Sequence, residues 1–135
     1  MNFPTTYYLS TYSDELNDAS NISNANALRD NLRRRGIAFA EGTFTSPDGS
    51  HSIVAIIDDR PYSTEVAKLV QGLAEYYKQP YYLRVDNIRQ AMICVTSTKD
   101  RIPLGRWQGV AEVQAGDTYI TRGDRTFIVK AEIKS

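Results

Sequence analysis

Residues 119–130 read YITRGDRTFIVK. Tyr119, Ile120 and Thr121 lead into Gly123 and Asp124, and Thr126, Phe127, Ile128 and Val129 lead out of them. Both flanks are rich in β-branched and aromatic residues, the composition of strands. A Gly-Asp pair between two such runs marks a two-residue hairpin loop, with Gly123 taking the positive φ that the turn requires. That reading sets Arg122 opposite Arg125, and Ile120 opposite Phe127. The Arg-Gly-Asp tripeptide is then a turn. An adhesion signal is disfavoured in a chain with one cysteine and no secretory leader. Facing arginines are mildly destabilising across a ladder. Either both side chains are solvated and splayed, or an anion sits between them.

Working towards the N-terminus, the segment before this hairpin is also β in character. RWQGVAEV reads as a strand broken at Gly109, and STKDRIPLG as a connecting loop. YYLRV and QAMICVT flank DNIR, a short turn built on Asp86 and Asn87. Two helices precede them. Residues 63–78 carry Val66, Leu69, Val70, Leu73 and Tyr77 at helical spacing, with Ser63 as N-cap and Pro80 forbidding continuation. Residues 25–35 carry Ala25, Leu28 and Leu32, with Ser23 or Asn24 as cap. Arg33 to Arg35 suit that helix's C-terminal dipole, and Gly36 ends it. IAFAEGTF and SIVAIID bracket the turn signal TSPDGS as a hairpin. TTYYLSTY is a first strand, and the Asn- and Ser-rich SDELNDASNISNAN reads as a long loop.

The order β-α-β-β-α-β-β and then three strands predicts an α+β fold. Its expected form is an antiparallel or mixed sheet with two helices on one face and a C-terminal β-hairpin extension. One domain spans residues 1–135, with the sheet core over about residues 1–98 and the extension over about 99–135. A length of 135 residues is enough for a single buried core.

Sixteen basic and sixteen acidic residues cancel, so nothing favours duplex DNA or an anionic membrane. The lone Cys94 lies in an apolar run and suits a reducing cytoplasm. No apolar run approaches the roughly 20 residues that span a bilayer. His51 and Cys94 are too few for a zinc site. Asp58 and Asp59 end an apolar strand but point to opposite faces, so they read as helix-entry charges rather than a metal pair. His51 follows an exposed turn and Cys94 reads as core, which leaves no nucleophile with a base. No catalytic residue, metal or cofactor is expected, and the protein reads as a non-enzyme.

Binding of an anionic small molecule remains. Arg84, Arg89, Arg106, Arg122 and Arg125 fall among Tyr81, Tyr82, Trp107, Tyr119 and Phe127. Arginine forks a phosphate and an aromatic face stacks a base. The candidate ligand-binding residues are Arg122, Arg125, Arg106, Trp107, Tyr82, Arg84, Asn87 and Arg89. Strand edges carrying arginine over an aromatic core would produce nearly the same set.

The opening strand, the Asn-rich segment, ALRDNLRRRG, a hairpin and EVAKLVQGLAEYYKQPYYLRVDN resemble the layout of an uncharacterised bacterial and phage domain family. The matching positions are Leu28, Leu32 and Gly36, then Ala67, Val70, Gln79 and the strand PYYLRV. With the hairpins behind it, the arrangement is similar to small phage proteins that counter Thoeris immunity. That resemblance implies a homo-oligomeric sponge in the cytoplasm of an infected bacterium. It would sequester a cyclic ADP-ribose-type nucleotide signal between protomers without hydrolysing it, with an arginine of the Arg122–Arg125 region at the ligand. Two other classes compete: a protein–protein inhibitor docking on a host enzyme, and a single-stranded nucleic-acid binder, which steep salt dependence would identify.

Overall fold

Strand edges decide the architecture. In the computed structural model, which describes residues 4–13, 15–46, 48–59, 63–113 and 118–130, the sheet closes on itself. Eight antiparallel strands run β1 (Thr5–Ser10), β2 (Ala40–Thr45), β3 (His51–Asp59), β4 (Tyr81–Val85), β5 (Gln90–Val95), β6 (Arg101–Val110), β7 (Tyr119–Arg122) and β8 (Arg125–Lys130). Around the barrel their order is β1-β3-β2-β7-β8-β6-β5-β4.

The expected open sheet with a hairpin extension is therefore corrected. The hairpin itself forms as read: Arg122 pairs with Arg125 and Ile120 with Phe127, and Gly123 has φ 62°. It is not an appendage, because β7 pairs with β2 and β8 with β6. Two exposed edges vanish at once, and Ile120 and Phe127 become interior residues.

Period-two alternation sends the strand residues into two separate cores. Inside the barrel lie Tyr8, Val54, Ile56, Val85, Ala91, Trp107, Ile120 and Phe127. Eight strands leave an interior that side chains just fill. Outside, Tyr7, Leu9, Ala55, Ile57, Tyr82, Met92 and Cys94 are covered by the two helices. Gly42 on β2 allows the strands their close approach. A Cβ there would stand 2.5 Å from the Thr121 carbonyl oxygen and 2.9 Å from Ile56 Cδ1.

The helix α1 (Asp18–Arg34) begins seven residues before the expected start, so the Asn- and Ser-rich stretch is helix rather than loop. Asn17 caps it, its side chain accepting from the Ser20 N–H. Asn21 is buried because its amide exchanges two hydrogen bonds with the backbone of Ser13. Ala25, Leu28 and Leu32 are buried as read, and Gly36 terminates the helix with φ 71°. The Gly36 N–H donates to the Arg33 carbonyl and the Ile37 N–H to that of Leu32, the Schellman pattern.

The second helix, α2 (Thr64–Tyr76), is capped by Ser63. Asp59 accepts from the Ser63 N–H, so its carboxylate holds the helix entry. In β6 the strand starts at Arg101 and runs through Gly109, and its irregularity lies opposite Ala91 and Met92 instead. Part of the expected STKDRIPLG loop is thus strand.

Candidate functional site

One end of the barrel gathers the C-terminal ends of β3, β4 and β7 and the N-terminal ends of β1, β5 and β8. The residues that face inward there are polar. Thr6 pairs with Asp58 in register, and its hydroxyl donates to Asp58 Oδ1 at 2.8 Å. Arg122 reaches across β2 to the same carboxylate, 2.9 Å from Oδ2 and 3.4 Å from Oδ1. Both partners of this ion pair keep 36% of the side chain exposed, so it sits at the rim.

Below the rim lies Tyr8, 5% exposed. Its ring packs against Trp107 with centroids 5.1 Å apart, and Trp107 stacks on Phe127 at 5.5 Å and 10°. The β4–β5 turn supplies the next wall. Asp86 Oδ1 accepts from the N–H groups of Ile88 and Gln90. Arg89 is held in the left-handed region at φ 69°, and its carbonyl accepts from the Trp107 backbone N–H at 2.7 Å. That places the Arg89 guanidinium 6.0 Å from the Phe127 ring centroid. Lys78 and Lys99 share positive φ at ordinary turns, so it is the aromatic contact, not the strain, that marks Arg89.

The electrostatics converge on the Tyr8 hydroxyl. Burial pushes its pKa up to about 12, Arg122 and Arg89 pull it down, and Asp58 pushes it up. The Trp107 indole N–H also faces this hydroxyl and favours its ionised form. The approach is not a completed hydrogen bond, because Trp107 Nε1 is buried with no partner, in a residue only 4% exposed. A buried donor without an acceptor carries a desolvation penalty and calls for an explanation such as a bound water or ion. The Arg122–Asp58 pair at the rim, the Tyr8 phenol with the Trp107 indole below it, and Arg89 over the Phe127 ring thus belong to one end of the barrel. Such a set can hold a hydrogen-bond acceptor carrying negative charge.

The expected ligand residues divide. Arg89, Trp107 and Arg122 come together here, and Arg125 stands across the hairpin from Arg122, exposed. Asn87 is exposed in the same β4–β5 turn as Arg89. Arg106 is exposed and flanks Trp107 on the outward-facing register of β6. Tyr82 and Arg84 lie on the helix-covered side. The Tyr82 hydroxyl donates to Gln71 Oε1 at 3.0 Å, and Arg84 lies 3.4 Å from Met92 Sδ.

Arg122 is also not the uncompensated charge that its opposition to Arg125 suggested, since Asp58 neutralises it. Reading by strand composition missed Thr6, Tyr8 and Asp58. Asp58 did stand out as a carboxylate ending an apolar strand, but its partner lies 64 residues away. Among the described residues no three His, Cys, Asp or Glu side chains gather as metal ligands do, and no helix is long and apolar enough to cross a membrane. No protein-family model matches the chain, and no curated protein was found to match it.

Proposed function

We propose that this protein is a non-catalytic receptor that binds and sequesters a small anionic nucleotide at the Asp58–Arg122 end of its barrel. The observation that carries the reading is the buried, unpartnered Trp107 indole N–H, in a ring packed against Tyr8 below the Asp58–Arg122 rim. The rings of Tyr8, Trp107 and Phe127 fill the barrel interior, so the ligand seats on the barrel end rather than inside it. Tyr8 keeps its proton up to about pH 12. It therefore serves as a donor, not as a base, which favours holding a ligand intact.

The resemblance noted above makes a cyclic ADP-ribose-type signal the candidate ligand. The role is then that of a phage anti-defence sponge working in the cytoplasm of an infected bacterium. A net charge of zero argues against duplex nucleic acid as the partner. Tyr81 and Ile102, 57% and 50% exposed on strands at the opposite end, support a homo-oligomeric assembly, which light scattering tests directly.

The binding test is calorimetric titration of the wild type, Arg89→Ala and Arg122→Ala with cyclic and linear ADP-ribose isomers. Each loss of a charged hydrogen bond should weaken binding by about 1.5–3 kcal/mol, or roughly ten- to a hundredfold. Bound nucleotide should come back unaltered when the complex is denatured. Affinity unchanged in both variants, or hydrolysed nucleotide, would refute the proposal.

A further inference from the structure

We infer that the cavity between α1 and the outer face of β1, β3 and β2 is a second binding site, one that takes the carbonyl end of a small neutral molecule. It lies outside the barrel and does not depend on the anion reading above. Its floor is set by register: Leu9 and Glu41 both pair with Ala55, and Thr11 follows one residue beyond β1. Its roof is a single turn of α1, where Ala25, Leu28 and Arg29 share a face. Alanine on the helix and alanine on the sheet leave the gap between them. The enclosed space is about 10 Å³, room for one water-sized group. Arg29 and Glu41 keep 26% and 40% of their side chains exposed, so they mark its mouth.

Two donors of this lining lack acceptors among the described residues. Thr11 is 2% exposed, and its hydroxyl has no hydrogen-bond partner. Arg29 directs Nη1 to Asn26 Oδ1 and Nη2 to the Glu41 carboxylate, while its Nε is buried without a partner. Buried polar groups left in this way call for a partner from elsewhere. A carbonyl oxygen accepts through two lone pairs and brings no proton of its own, the complement of an O–H and an N–H without acceptors. Glu41 already neutralises Arg29, and the remaining walls are apolar. A charged guest would lose its hydration there without gaining a counter-ion. The guest is therefore neutral, with a short apolar stem.

The probes are 2-butanone and propionate, which match in heavy-atom count and shape and differ in charge. Each is titrated at pH 7 into the nitrogen-15-labelled full chain, following the Arg29 Nε–H resonance, which Arg29→Lys assigns. Butanone should shift that resonance saturably, and propionate should bind at least about tenfold more weakly. Thr11→Val removes the hydroxyl and keeps the shape. It should weaken butanone binding about two- to tenfold without lowering the melting temperature, because the hydroxyl has no partner to lose. Ala25→Leu fills the cavity and should abolish the shift, and its melting temperature shows whether the fold tolerates the added volume. If it does not, Thr11→Val and the wild-type titrations still decide. No saturable shift with butanone, or a shift that survives Ala25→Leu, would overturn the site. So would a fall in melting temperature in Thr11→Val, which would assign the hydroxyl to a structural water. Propionate binding as tight as butanone would overturn the neutral class. None of these outcomes touches the anion site at the barrel end.

Discussion

Tyr8 and Tyr82 lie on neighbouring strands, and their hydroxyls end in two different kinds of interior. Tyr82 lies beneath α2, where its hydroxyl donates to Gln71 Oε1. The other end of that amide is spent on Glu75 and on the Thr96 carbonyl. The group is closed: polar atoms brought out of water are returned to partners, and they pin a helix to a sheet. Tyr8 faces the barrel, where the Trp107 indole N–H is buried without a partner and the charges of Arg122 and Arg89 pull the phenol pKa down against burial. A satisfied polar cluster stabilises a fold, whereas a buried indole N–H with nothing to receive it points to something from outside.

The largest expected effect tests whether the barrel interior is as tightly determined as this contrast requires. Gly42→Ala drives a Cβ against the Thr121 carbonyl, backbone that is held in the β2–β7 ladder. It should cost about 3 kcal/mol by chemical denaturation. Gly72, exposed on α2 with nothing within 4 Å of a built Cβ, is the control on the helix side. Gly72→Ala should stabilise by about 1 kcal/mol, the helix propensity difference. If Gly42→Ala is equally harmless, the closed barrel is wrong.

Next comes alkaline stability, which separates the two tyrosines. Burial raises the folded pKa of Tyr8 from 10.0 to about 12. The unfolded chain releases that proton first, so the stabilisation is complete below pH 10 and lost as pH rises towards 12. The slope for this one group is about 1.4 kcal/mol per pH unit. Burial, and then the neighbouring Cys94, shift Tyr82 upward as well. Urea unfolding between pH 9.5 and 12 should therefore show a steep fall in the wild type. Tyr8→Phe and Tyr82→Phe should each remove part of it. A slope unaltered by Tyr8→Phe would mean that this phenol is solvated and that the barrel end is not the low-dielectric site described.

How much of this was legible in the sequence follows from the range of each interaction. Helical spacing exposed the faces of both helices, and Gly36 and Ser63 marked an end and a start, because caps and stripes are local. The hairpin at Gly123 was legible for the same reason. Closure was not: β7 pairs with β2 across some eighty residues, and no periodicity records which edges meet. The N-terminal turns of α1 were hidden because Asn and Ser usually favour loops. Here Asn17 and Asn21 spend their amides on the backbone around the helix start. The site divides in the same way. Arginines interleaved with aromatics drew attention to Arg89, Trp107 and Arg122, but Tyr8 and Asp58 join them only through the barrel.

The smallest expected effect concerns the two arginines that face each other across the hairpin. As a bare like-charge pair, each would destabilise the other, and removing either would help by a few tenths of a kcal/mol. The ion pair with Asp58 breaks that symmetry. Arg122→Ala gives up two hydrogen bonds to a carboxylate, but both partners are more than a third exposed, so solvent screening keeps the loss below about 1 kcal/mol. Arg125, exposed and with no ion pair among the described residues, should show the bare-pair behaviour: Arg125→Ala is neutral or slightly stabilising. Salt supplies the discriminating readout. Raising ionic strength screens the Arg122–Arg125 repulsion and the Arg122–Asp58 attraction with opposite consequences. The penalty for Arg122→Ala should therefore shrink in high salt, and any gain from Arg125→Ala should shrink with it. A double-mutant cycle between Asp58→Asn and Arg122→Ala isolates the pair itself. A coupling of zero there, with equal effects from both arginines, would return them to a solvated hairpin tip and remove Asp58 from the site.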